Sequence, residues 1–159
     1  MIYKSYLIEK NIDLIDKNLF LFYGENAGLK DELKNKIRRK YKNEELLVYD
    51  QDELLKNSNL IMNEIQNISL FEKKKIFLLN NISDKFLKVI EKITDIIDDN
   101  HVFLFSSALD KKSKIRSFFE KSNKCGIVAC YEDNEISIKK IILEKLKGFD
   151  GLLAENVNL

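Results

Sequence analysis

Short apolar segments alternate with amphipathic segments along most of the chain, and this alternation limits the fold more than any other feature. The apolar segments are rich in aromatic and β-branched residues and lie at Leu19–Tyr23, Leu46–Asp50, Ile76–Asn80, Val102–Ser106 and Gly126–Cys130. Near-continuous apolar runs of this length are typical of strands that are buried on both faces. The pattern therefore predicts five strands of a buried sheet.

The intervening segments repeat their apolar residues with the period of an α-helix. They lie at Leu29–Lys42, Asp52–Gln66, Asp84–Ile97, Ser113–Lys121 and Ile136–Leu146. In the third of them, Ile90, Ile93 and Ile97 fall on one stripe, opposite a charged face. Strands that alternate with helices predict an α/β fold in which helices cover a five-stranded parallel sheet.

Length and composition are those of one soluble globular domain. The chain has 159 residues, of which 45% are apolar and 33% charged, and its formal net charge is +1. This charge gives no overall attraction to nucleic acids or anionic membranes. No apolar run approaches the roughly 20 residues of a membrane span, and the first residues lack the apolar core of a secretory signal. We therefore expect a cytoplasmic protein with no membrane partner.

The last twelve residues, "GFDGLLAENVNL", have a different pattern. Glycines interrupt the preceding helical segment, and a new apolar pattern begins at Leu152. We expect one domain over residues 1–147 and the truncated start of a following domain over residues 148–159.

The loop after the first predicted strand, "GENAGLK", has the outline of a phosphate-binding loop. In the pattern G-x-x-x-x-G-K-[ST], the second glycine lets the backbone approach the phosphates, the lysine contacts them, and the hydroxyl binds Mg²⁺. Counted from Gly24, Lys30 fills the lysine position, but Leu29 replaces the glycine and Asp31 replaces the hydroxyl residue. Gly28 lies one residue too early. The sequence predicts that this loop does not bind a nucleotide.

The end of the third predicted strand lacks a second group that ATP hydrolysis requires. An ATPase of this class needs an acidic residue there to hold Mg²⁺ and orient water. Asn80 and Asn81 occupy these positions, and an amide can neither supply the charge nor act as a general base. We therefore expect no catalytic residue and no cofactor. A P-loop NTPase or nucleotide kinase with an atypical loop is the alternative, and a flavodoxin-like or receiver-type domain would need a Ser/Thr loop or an acidic cluster that we do not find.

Other polar residues give weaker indications. A basic segment could contact phosphates, although a solvated helix start capped by Asp110 is the favoured explanation. Its cations are Lys111, Lys112, Lys114 and Arg116. His101 has no patterned partner, and Cys125 and Cys130 are spaced to point to opposite faces of a strand, so they are expected to be reduced core thiols. No metal site is predicted.

Three segments, in this order and spacing, carry a resemblance to a known family. They are "LFLFYGENAGLKDEL", "QNISLFEKKKIFLLNN" and "SSALDKKSKIRSFFEKS". Over about residues 1–150 the chain resembles the N-terminal domain of the delta subunit of the bacterial DNA polymerase III clamp loader. This family has an AAA+ fold with a degenerate ATP site. The resemblance implies an AAA+/P-loop-like three-layer fold, followed by a small helical domain.

The resemblance also implies a function, which is to open the ring-shaped β sliding clamp for loading onto primed DNA. The hydrophobic tip that binds the clamp would correspond to Ile68, Ser69, Leu70 and Phe71, with Leu70 and Phe71 as anchors and Gln66 before them. The segment Lys73–Lys75 could form a polar rim around it, and an ordinary solvated charge run explains the three lysines equally well. From the residues alone, the Leu-Phe pair could instead close a helix onto the core.

The partners that the resemblance implies are the β sliding clamp and, in a full-length protein, the gamma/tau and delta prime subunits. ATP would be bound by other subunits, and DNA would be contacted weakly or indirectly.

Overall fold

The strands form one parallel sheet, with helices in the connections between them. We describe a computed structural model that covers residues 1–57, 59–67 and 74–132, together with residues 139, 142, 143 and 146. Its strands are β1 (Ile2–Lys4), β2 (Leu19–Tyr23), β3 (Glu45–Asp50), β4 (Lys75–Asn80), β5 (His101–Ser106) and β6 (Cys125–Ala129). The order across the sheet is β1-β6-β2-β5-β4-β3, and every neighbouring pair is parallel.

Six helices connect these strands within the described part of the chain. They are α1 (Ser5–Lys10), α2 (Ala27–Lys40), α3 (Gln51–Lys56), α4 (Leu60–Gln66), α5 (Leu87–Ile96) and α6 (Lys114–Lys121). Short 3₁₀ turns lie at Ile12–Leu14 and Asp84–Phe86. The helices therefore follow the predicted β–α alternation from β2 to β6.

Side chains alternate between two apolar cores, one on each face of the sheet. One core packs Leu21, Phe77 and Leu104 against helices α3, α4, α5 and α6. The other packs Phe20 and Phe103 against α1 and α2. The central strands β2, β4 and β5 are buried along almost their whole length, which is why their sequences are continuous apolar runs rather than alternating ones. Two helical layers around one sheet confirm the predicted three-layer fold.

The fold departs from the sequence prediction in a few places. The sheet has six strands rather than five, because the short strand β1 pairs with β6 at the edge. The predicted helix Asp52–Gln66 is two helices, α3 and α4, since α3 ends at Lys56 with Asn57 as its C-cap. The predicted helix Ile136–Leu146 lies largely outside the described residues, and so does the predicted domain boundary at 147/148.

None of the helices in the described part of the chain has the length and apolar character needed to cross a lipid bilayer. The candidate functional features lie at the two ends of the parallel strands, one at the carboxyl ends and one at the amino ends. The carboxyl ends of β2, β4 and β5 meet at one edge, where the "GENAGLK" loop lies. The amino end of β4 lies at the opposite edge, next to the end of α4.

Candidate functional site

The loop after β2 lies tightly against the ends of the neighbouring strands. Gly24 has φ +135°, and a Cβ there would lie 2.0 Å from the carbonyl oxygen of Cys130, so only glycine fits. The Gly24 amide donates to Ser107 O at 3.1 Å, and the Asn26 amide donates to Cys130 O at 3.1 Å. The backbone amides of Gly24 and Asn26 are therefore hydrogen-bonded to the segments that follow β5 and β6.

Helix α2 begins two residues earlier than predicted, and this changes the environment of the loop residues. Asn26 caps the helix, and its side-chain oxygen accepts from the Leu29 amide at 2.9 Å. A Cβ at Gly28 would make only an ordinary contact, 3.7 Å from that same oxygen. Leu29 packs its half-buried side chain against the core on the α1–α2 face. A leucine is tolerated here because it points to the core from the first turn of a helix.

Lys30 uses its ammonium group within its own chain. Its Nζ donates to Gly24 O at 2.7 Å and to Ser106 O at 2.8 Å, so it joins the loop to the end of β5. Burial lowers the pKa of this ammonium, and the nearby charge of Lys34 lowers it further. The lysine of the phosphate-loop pattern is present, but its donors are directed at backbone carbonyls.

A cleft of about 380 Å³ opens beside this lysine at the carboxyl edge of the sheet. It brings together four of the residues singled out from the sequence, Lys30, Asp31, Asn80 and Asn81. The other lining residues are Ala27, Lys34, Asp50, Phe105, Ser106 and Ser107. The predicted phosphate-loop and strand-end positions therefore face one another.

The polar groups around the cleft largely satisfy each other. Asp31 forms an ion pair with Lys34 at 3.3 Å, and the Asn81 amide donates to the Asp50 carboxylate. Asn81 has φ 57°, a left-handed conformation that asparagine tolerates. The buried Oδ1 of Asn80 has no hydrogen-bond partner within the described residues. The end of β4 presents amides where an ATPase presents a carboxylate. The carboxylates that do line the cleft, Asp31 and Asp50, are engaged with Lys34 and Asn81.

The basic segment at the start of α6 is only partly free to contact phosphates. Lys111 and Lys112 are exposed. Arg116, by contrast, donates to Glu120 Oε1 at 2.8 Å and to Leu109 O at 3.1 Å, and its guanidinium lies 5.1 Å from the Tyr23 ring centroid. This arginine therefore already has partners.

The carboxylate of Asp84, which comes from the segment after β4, bonds the amino end of α6. Asp84 accepts from Ser113 Oγ at 2.7 Å and from the amides of Lys114 and Ile115 at 3.1 and 3.0 Å. Desolvation raises the pKa of Asp84, but these hydrogen bonds together outweigh it and hold the pKa below its usual value. The N-cap is Ser113, and Asp110 instead bonds the Lys112 amide in the preceding turn, so the expected cap at Asp110 is wrong.

The proposed clamp-binding tip, Ile68, Ser69, Leu70 and Phe71, lies outside the described residues. Its described flanks are Gln66, which is exposed at the last position of α4, and Lys74, which is exposed before β4. Lys75 does not belong to a solvated rim as expected: it is 6% exposed, and its Nζ lies 3.0 Å from Glu64 Oε2. A lysine in a charge run gave no sequence signal of burial.

The remaining candidates are core residues. His101 is half-buried and lies against the Tyr41 ring, 4.9 Å away, and burial together with the charges of Lys74 and Lys40 lowers its pKa. Cys125 and Cys130 belong to opposite cores, as predicted, and burial raises the pKa of the Cys130 thiol to about 12. Within the described ranges, no group of three or more His, Cys, Asp or Glu residues is arranged to hold a metal ion.

Comparison with solved structures agrees with the fold. The chain is similar to the DNA clamp loader delta protein of Bacillus subtilis, with a TM-score of 0.67 and 14% identity over 90% of this chain and 47% of that one. It is also similar to a Trip13 protein from Rhizobiales, with a TM-score of 0.53 and 12% identity over 91% of this chain and 60% of that one. At these identities the likeness concerns the fold alone.

Sequence comparison is more specific. The chain is 28% identical to a probable DNA polymerase III subunit delta from Rickettsia prowazekii (strain Madrid E), a match that covers 79% of this chain but only 38% of that protein. The sequence model of the family "DNA polymerase III, delta subunit" matches residues 20–131. This match runs from β2 through β6 and includes both the degenerate loop and the segment between α4 and β4. The chain belongs to the delta-subunit family of DNA polymerase III.

Proposed function

We propose that this chain binds the β sliding clamp through residues 66–71 and helps to open the ring for loading onto primed DNA. The observation that carries the proposal is the family match over residues 20–131, which spans this hexapeptide. The chain covers about two fifths of the curated relative and half of the solved one, so the activity of a full-length subunit is part of the proposal.

The chemistry of the hexapeptide "QNISLF" suits such a contact. Leu70 and Phe71 are adjacent large apolar residues, and aromatic anchors that fill a pocket contribute most of the free energy in many interfaces. Gln66 is exposed at the end of α4, where its amide is accessible to a partner. Ile68 and Ser69 connect these anchors to the helix.

Binding free energy alone would drive ring opening. A ligand with greater affinity for the open or strained ring shifts the equilibrium of the clamp toward that state. No hydrolysis by this chain is needed. In the proposed assembly ATP is bound by the gamma/tau subunits, delta prime completes the loader, and this chain contacts DNA weakly or indirectly.

The cleft beside Lys30 supports a role without catalysis. Lys30 donates to two backbone carbonyls, Leu29 packs against the core, and Asn80 and Asn81 stand where a metal-binding carboxylate would be needed. We therefore propose that the chain neither binds nor hydrolyses ATP. Thermal stabilisation of the chain by Mg²⁺-ATP would contradict this part of the proposal and favour the alternative of an atypical P-loop enzyme.

A pull-down with the cognate clamp tests the contact. The wild-type chain and a Leu70→Ala/Phe71→Ala variant would be immobilised separately. A Lys111→Ala/Lys112→Ala variant is the control for a double alanine substitution at exposed residues elsewhere on the chain. We expect each alanine in the tip to cost roughly 2–4 kcal/mol of binding, so that the double tip variant retains no clamp. Equal retention by wild type and the tip variant would rule out the proposed contact.

A further inference from the structure

Two side chains from other parts of the fold close the carboxyl end of α4. The last carbonyls of a helix lack partners within the helix. Lys75 Nζ donates to Glu64 O at 2.9 Å, and Asn100 Nδ2 donates to Ile65 O at 3.2 Å. The Asn67 amide bonds Asn63 O at 2.8 Å. Three of the last four carbonyls of α4 are therefore satisfied, and a cation at this end also complements the helix dipole.

The same two residues hold the start of β4. Asn100 Oδ1 accepts from the Lys75 amide at 3.0 Å, so a single amide side chain bonds both α4 and β4. Lys75 belongs to β4, and its ammonium reaches back to Glu64 through both the carbonyl and the carboxylate. We call these four contacts, which join Glu64 and Ile65 to Lys75 and Asn100, the Lys75–Asn100 bridge.

Neighbouring contacts fix the same strand start from its other side. The Lys74 amide donates to Glu44 Oε2 at 3.0 Å, and Lys74 O accepts from the Glu45 amide at 3.2 Å. The end of α4 and the start of β4 are thus fixed relative to each other and to β3. Asn67 and Lys74, the described residues on either side of residues 68–73, both take part in these contacts.

The ammonium group of Lys75 is buried, which is unusual for a lysine. Its side chain is 7% exposed, and a buried ammonium costs free energy unless several acceptors surround it. Both of its acceptors within the described residues belong to Glu64, two residues before the proposed clamp-binding segment. An apolar side chain at this position would leave Glu64 O without its donor.

We propose that Lys75 and Asn100 are positioning residues for clamp binding. This inference rests on the proposed function. The Lys75–Asn100 bridge holds the end of α4 and the start of β4 at a fixed separation, and a fixed separation of these flanking elements lowers the entropic cost of docking the proposed segment. Neither residue needs to touch the clamp. Their contribution is to fix the two described elements that flank the anchors Leu70 and Phe71.

Calorimetric titration with the cognate β clamp tests the inference. Lys75→Met keeps the aliphatic stem but removes the ammonium, and we expect it to weaken binding by about tenfold through lost pre-organisation. Asn100→Asp keeps the acceptor for the Lys75 amide but loses the donor to Ile65 O, and it should weaken binding by a smaller factor. A synthetic peptide of residues 66–72 gives the clamp affinity of the segment without the rest of the fold. The clamp affinity of each bridge variant should be at least as high as that of the peptide.

Two controls separate positioning from general stability and from the proposed function itself. Asp84→Ala removes the cap of α6 at the opposite edge of the sheet, so it should lower the melting temperature yet leave clamp affinity unchanged at a temperature where all variants are folded. Wild-type affinity in Lys75→Met and Asn100→Asp, combined with lost binding in Leu70→Ala/Phe71→Ala, would overturn the inference alone. Wild-type affinity in the tip variant as well would overturn the proposed function and the inference with it.

Discussion

At the scale of single residues, Lys30 fills the lysine position of a phosphate-binding loop but bonds backbone carbonyls of its own chain. In a phosphate-binding loop the lysine ammonium is directed at the ligand. Here it donates to Gly24 O and Ser106 O and so ties the loop to β5. Its place in the sequence pattern was recognisable, but its hydrogen-bond partners were not, because Ser106 is 76 positions away in the chain.

Replacing Lys30 by Met should destabilise the chain. The change leaves two carbonyls without their donor, and an unsatisfied buried polar group costs about 1–3 kcal/mol. We expect a loss of this size in the free energy of unfolding, measured by urea denaturation at neutral pH. The control is Lys34→Met, which removes an ion pair to the exposed Asp31 and should cost no more than about 1 kcal/mol. Equal stability of wild type and Lys30→Met would contradict a structural role for this ammonium.

At the scale of elements, local patterns predicted the central helices and strands well but failed where tertiary contacts decide. The apolar run of β2 matches its observed bounds because that strand is buried along its whole length. The strand β1 has three residues, two of them exposed, and pairs with β6 more than 120 positions away, so it gives no local signal. The buried Lys75 and the cap that Asp84 provides for α6 are likewise contacts between distant segments.

The α6 cap leads to a prediction for Asp84. Because its carboxylate accepts three hydrogen bonds at the start of α6, Asp84→Ala should lower the free energy of unfolding by about 1–2 kcal/mol, a typical effect of losing a helix cap. Thermal and urea denaturation at pH 7 would measure it. Asp110→Ala removes a carboxylate that bonds only the turn before the helix, and it should change stability by less than about 0.5 kcal/mol.

The pH dependence of the same variant gives an independent check. The pKa of Asp84 is lower in the folded chain than its ordinary value, so the unfolded chain binds a proton more readily. The stabilisation is therefore complete above the ordinary pKa of an aspartate, near 4, and is lost as the pH falls through the lower folded value. The difference in stability between wild type and Asp84→Ala should shrink in acid. A difference that stays constant from pH 7 to pH 3 would contradict the assigned hydrogen bonds.

At the scale of the whole molecule, the chain combines a rigid three-layer scaffold with a short apolar segment between α4 and β4. The sequence indicated the scaffold through its β–α alternation and indicated the segment through its resemblance to the family. It did not indicate the Lys75–Asn100 bridge, since a lysine beside two others and an asparagine before β5 are ordinary surface patterns. With a net charge of +1, the chain has no overall electrostatic attraction to DNA.

The central claim is that binding by this chain shifts the clamp toward an open ring. The most direct measurement uses a cognate β clamp that carries a pair of self-quenching dyes across one ring interface, titrated with the purified chain. We predict a saturable rise in fluorescence with the wild-type chain and no rise with Leu70→Ala/Phe71→Ala at the same concentrations. An unchanged signal with the wild-type chain under conditions where it binds the clamp, or an equal rise with both proteins, would contradict the claim.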